Sequence, residues 1–124
     1  MTTLRTLDTR VFVPAENFTM SRAFYTALGW VENWHNNGLA EMELGGVRFL
    51  LQDYYVKDWA ENFMMQVTVA DAQAWYEHAA AVLERGDFGG ARVTPPKREP
   101  WGFLVTYLHD PCGVLLHLAQ PQLL

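Results

Sequence analysis

The sequence has a single cysteine, Cys112, so no disulfide can form within the chain and nothing in it requires an oxidising compartment. Long apolar runs are also missing. None approaches the ~20 residues that span a bilayer, and MTTLRTLDTR at the start lacks the apolar core of a secretory signal. The expected location is the cytoplasm, with no membrane partner. Positive charge is scarce: nine Lys and Arg against fourteen Asp and Glu give a net charge of −5. That argues against nonspecific nucleic-acid binding and mildly favours a cationic ligand. There is no Walker loop, no dinucleotide fingerprint and no zinc-finger spacing.

What is present is a globular composition. Half of the 124 residues are hydrophobic and 19% are charged, enough for a core in one domain spanning residues 1–124. Residues 7–13 read as a strand stopped by Pro14. A helix follows through Leu28, capped by Asn17 or Thr19, with Met20, Phe24, Ala27 and Leu28 at helical spacing and Gly29 as its stop. Strand-like runs lie at 30–34, 39–44 and 47–52, separated by Asn36-Asn37-Gly38 and Gly45-Gly46 turns. Residues 53–62 read as a linker. Then the order restarts: a strand at 63–69 and a helix capped by Asp71 and ended by Gly86. Its face carries Trp75, Ala79, Val82 and Leu83. Strands follow near 91–94, 102–109 and 114–119.

The chain is therefore βαβββ written twice, with modules 1–60 and 61–124 and a period of about 60 residues. The expected class is α+β, with the two modules forming a curved mixed sheet. Helix caps and hairpin glycines align the copies, which makes Arg10, Leu50, Met64 and His117 equivalent positions. Strand alternation puts Val11, Val13, Phe49, Leu51, Val67, Val69, Leu116 and Leu118 on an apolar, helix-packed face. The opposite face carries Arg10, Arg48, Leu50, Gln52, Met64, Gln66, Thr68 and His117, with Glu41 and Glu43. Such a face can meet solvent, a partner or a ligand. Glu41 and Glu43 read as a salt-bridged pair with Arg48 as candidate partner, and Arg10 should meet a carboxylate or an anionic group.

The doubled βαβββ, AFYTALGW at 23–30 and DPCGVLLHL at 110–118 resemble the vicinal oxygen chelate superfamily of glyoxalases, dioxygenases and bleomycin-resistance proteins. The resemblance covers nearly the whole chain. Enzymes of that group hold a divalent metal with His, Glu or Gln at the four equivalent positions, here Arg10, Leu50, Met64 and His117. Guanidinium and isobutyl groups offer no lone pair, and a thioether is a weak, soft ligand. One imidazole does not hold a catalytic zinc, which usually takes three protein ligands. The expectation is no metal and no cofactor.

A narrower resemblance is to the bleomycin-resistance proteins, through Pro100-Trp101-Gly102 and His117. It implies a homodimer whose groove holds a flat heteroaromatic drug between two aromatic side chains, here Trp34 and Trp101. Leu39, Arg10, Leu50, Met64, His117, Glu41 and Glu43 complete the expected ligand-binding set. No catalytic residue is assigned. Two other functions stay open: a metal-dependent glyoxalase or dioxygenase recruiting Glu41, Glu43, His109 or His117, and a ligand sensor. His117 itself reads either as a hydrogen-bonded core histidine or as a ligand or interface contact. His35, His78 and His109 read as solvent-facing.

Overall fold

The first strand is shorter than the sequence suggests. In the computed structural model, which describes residues 3–122, residues 3–11 carry no regular structure and β1 is Phe12–Ala15. Pro14 lies inside it rather than stopping it. A strand laddered on one side only tolerates the missing N–H. Val11, expected in the core, is exposed because the strand begins after it.

Helix α1 (Phe18–Leu28) starts where Asn17 accepts a hydrogen bond from the Met20 N–H at 3.0 Å. It ends on Gly29, whose φ of 115° closes a left-handed stop. Its packed stripe is Ser21, Phe24, Tyr25 and Leu28, one position round from the expected one, and Ala27 is exposed. Three strands follow: β2 (Val31–Asn36), β3 (Leu39–Leu44) and β4 (Val47–Asp53). The sheet order is β1-β4-β3-β2, with β1 parallel to β4 and the rest antiparallel.

The expected linker contains a short helix, α2 (Lys57–Asn62). The second module then repeats the first with β5 (Met64–Thr68), α3 (Ala72–Arg85), β8 (Leu104–His109) and β9 (Leu115–Gln120). Two-residue strands β6 (Arg92–Val93) and β7 (Lys97–Arg98) both pair with β8. The order is β5-β9-β8-β6, and the first strand again runs parallel to the last.

Among the described residues the two mixed sheets share no ladder. Helix α1 packs on β2 and β4, α3 packs on β6, β8 and β9, and the two helices touch each other. One core takes in both helix-covered faces, from Val13, Phe24, Met42 and Leu51 to Val82, Leu108, Leu116 and Leu118. Tyr25 Oη donates to Asp110 Oδ2 at 2.8 Å, and Cys112 Sγ donates to the Pro14 carbonyl at 3.2 Å, so the β8–β9 turn is tied to the first module. With both helices used this way, one face of each sheet is left open.

Candidate functional site

On the first sheet the register places Phe12 opposite Leu50 and Trp34 opposite Glu41, all on the open face. A β-bulge between Glu32 and Trp34 puts an extra residue, Asn33, beside Trp34 on that face. Arg10 pairs with Glu41 and with Asp8, and Arg48 pairs with Glu43 at 2.8 Å. The Asn33 amide donates to Glu41 Oε2 at 2.8 Å and to Glu43 Oε1 at 2.9 Å. Hydrogen bonds from Arg48 and then Asn33 hold Glu43 below the usual carboxylate range. Arg10 thus meets carboxylates and Arg48 meets Glu43, as their types required. Trp34 remains 43% exposed, Leu39 and Leu50 half-buried.

The open face of the second sheet carries Met64, Gln66, Thr68, His117, Tyr107 and His109. Gln66 stands opposite His117, which meets the Tyr107 ring edge-on at a centroid distance of 4.9 Å. Burial and then the neighbouring Glu99 carboxylate raise Tyr107 above its ordinary value. Among the described residues, His117 Nε2 and His109 Nδ1 are buried and have no hydrogen-bond partner. His109 is half-buried, not solvent-facing, and burial and then Arg92 hold it below the ordinary imidazole value. His78 is exposed yet bonded to the Leu28 carbonyl at 2.8 Å.

Trp101 sits on the turn between β7 and β8. The Gly102 N–H bonds the Glu99 carbonyl at 2.8 Å and the Glu99 N–H bonds Phe103 at 2.9 Å, with Gly102 at φ 103°. Pro100 supplies the fixed φ that the second position of such a turn favours. The indole is 59% exposed. Among the described residues neither Trp34 nor Trp101 joins an aromatic pair.

Of the quartet, Leu50 lies on β4 of the first sheet and Met64 and His117 lie on β5 and β9 of the second, while Arg10 lies in the irregular segment two residues before Phe12; Phe12 stands opposite Leu50 as Gln66 stands opposite His117. The Arg10 guanidinium is committed to carboxylates and Met64 is 60% exposed. Among the described residues no group of three or more His, Cys, Asp or Glu is arranged to hold a metal ion. Cys112 is buried and pushed up to about 12, chiefly by desolvation, so it is no nucleophile. An open groove of about 780 Å³ lies elsewhere, between α1 and β2, and the Arg22–Glu32 ion pair lines it. Sequence reasoning missed Phe12 and Asn33. Strand parity points Phe12 outward, but a bulge leaves no mark in a single sequence.

This arrangement is the glyoxalase/bleomycin resistance/dioxygenase fold, in its α+β form with two βαβββ-like mixed sheets. Within that fold the chain is similar to a bleomycin resistance protein of Klebsiella pneumoniae, 26% identical over 117 residues and 90% of each chain. A solved bleomycin-binding protein in complex with bleomycin aligns with a TM-score of 0.79 at 23% identity, over 94% of this chain and all of that one. The bleomycin-binding protein of Streptomyces verticillus, complexed with copper(II)-bleomycin, aligns at 0.78 and 20% identity over 98% and 100%. No protein-family profile matches the chain.

Proposed function

We propose that this protein binds and sequesters a small, flat, cationic molecule of the bleomycin class and does not transform it. It acts as one domain of two modules, 1–60 and 61–124, and as a homodimer in the cytoplasm. The ligand lies between the open face of the first sheet, with Trp34, Leu39, Arg10, Leu50, Glu41 and Glu43, and the open face of the second, with Trp101, His117 and Met64. In a single chain those faces belong to separate sheets, so a second copy completes each groove.

The observation that carries this reading is the pair of half-exposed indoles that join no aromatic pair among the described residues, Trp34 on the open face of β2 and Trp101 on the hydrogen-bonded β7–β8 turn. Two indole faces hold a heteroaromatic plane by stacking, and each cation–π contact adds roughly 0.5–2 kcal/mol. The net charge of −5 adds long-range attraction for a cation. Sequestration needs no nucleophile, base or Lewis acid, since occupancy alone keeps a reactive molecule from its target.

Titration with bleomycin tests the proposal. Tryptophan fluorescence is expected to quench saturably, and Trp101→Ala to abolish the response while circular dichroism stays unchanged. No binding at high micromolar drug overturns the sequestration reading. About one tightly held transition metal per chain in protein purified without chelator would favour the enzyme instead.

A further inference from the structure

We infer that Asn33 is a positioning residue for Trp34, and that the bulge in β2 serves to bring it in. This rests on the stacking role just proposed for Trp34. The register runs Val31 opposite Glu43 and Glu32 opposite Met42, then resumes with Trp34 opposite Glu41. Asn33 is the residue in excess. Without it the ladder would be regular and Trp34 would still face Glu41, because alternation after Glu32 returns the next side chain to the open face. The bulge is therefore not needed to choose the face of the indole.

What the extra residue adds is an amide with a defined job. Asn33 Nδ2 spans two residues of the neighbouring strand, donating to Glu41 at 2.8 Å and Glu43 at 2.9 Å. Arg10 holds Glu41 and Arg48 holds Glu43, so both acceptors are themselves fixed. The β2 backbone is clamped across to β3 at the residue before the indole. Among the described residues Trp34 pairs with no other aromatic ring, while Trp30, four residues earlier, packs against Phe49 at 4.8 Å. An exposed ring that must meet a planar ligand loses affinity to its own motion. Fixing its base lowers that cost.

The test combines deletion of Asn33 with Asn33→Ala, read by bleomycin affinity, melting temperature and the ¹⁹F resonance of 5-fluorotryptophan at Trp34, assigned by its loss in Trp34→Phe. Deletion restores a regular ladder, so it is expected to leave the melting temperature unchanged or higher while affinity falls about tenfold. Asn33→Ala is expected to shift and broaden the Trp34 resonance in the unliganded protein. Wild-type affinity and an unchanged resonance in both variants overturn the inference. So does a loss of affinity that only tracks a loss of stability. If the wild type binds no bleomycin yet the resonance still responds, the positioning holds and the sequestration reading fails.

Discussion

A carboxylate in this protein takes its behaviour from what surrounds it, and Asp110 and Glu32 are shifted in opposite senses. Asp110 accepts from Tyr25 Oη at 2.8 Å and from the Cys112 and Val114 N–H groups, yet burial outweighs them and raises it. Glu32 is gripped by Arg22 through two bonds, of 2.6 and 2.9 Å, and is lowered by them. A lowered acid contributes stability above its unfolded value, ordinarily 4.5, and loses that contribution as pH falls through the folded value. Glu32→Gln is therefore expected to cost about 1 kcal/mol at pH 7, the upper range for a partly exposed pair. Urea unfolding at pH 7 and pH 3 checks the sign: the difference between wild type and variant should shrink as the pH falls. An equal cost at both pH values would assign the effect to packing.

At the scale of elements, the tip of the β7–β8 hairpin couples backbone strain to the proposed stacking residue. Gly102 has φ 103°, and an added Cβ would collide with the Gln122 side chain. Gly45 has φ 56° with nothing near it, so it shares the strain without the indole. Alanine at either should cost about 1 kcal/mol of stability. Only Gly102→Ala should also weaken bleomycin binding, because it moves Trp101. Equal affinities in the two variants would separate the turn from the site.

The same elements mark what a sequence discloses. Asn17, Gly29 and Asp71 carry side-chain or φ requirements that hold at their positions, so both long helices could be read. Gly86 ends α3 for another reason: its backbone is extended, and a Cβ there would lie 2.6 Å from the Phe88 ring. Helix α2 has six residues and no side-chain cap at Val56, too short for a visible period. Residues 7–11 alternate like a strand, but the ladder to β4 takes in only Phe12–Ala15, preceded by a single bond from the Leu50 N–H to the Val11 carbonyl at 2.9 Å. Trp34 and Trp101 are singled out by the spacing from Gly29 and by Pro100-Trp101-Gly102, which can be read in the sequence, whereas the Asn33 hydrogen bonds depend on a ladder register.

For the whole molecule, the question is which two faces meet around the ligand. The helices of one chain use the inner faces of both sheets; Trp34 stands on the outer face of the first, and Trp101 is exposed on the turn between β7 and β8. If two copies meet first sheet to second sheet about a twofold axis, each of the two grooves takes Trp34 from one chain and Trp101 from the other. Homodimers of Trp34→Ala and of Trp101→Ala then lack one wall in both grooves, and both should bind poorly. A heterodimer of the two variants has one groove missing both indoles and one groove intact. Mixing the weak binders and letting subunits exchange should therefore restore wild-type affinity at roughly a quarter of the wild-type sites, since about half the dimers are mixed and each has one good groove of two. Calorimetric titration of the mixture with bleomycin reads both the affinity and the stoichiometry. A groove built within one chain predicts no recovery at any mixing ratio, because every chain would carry its own defect.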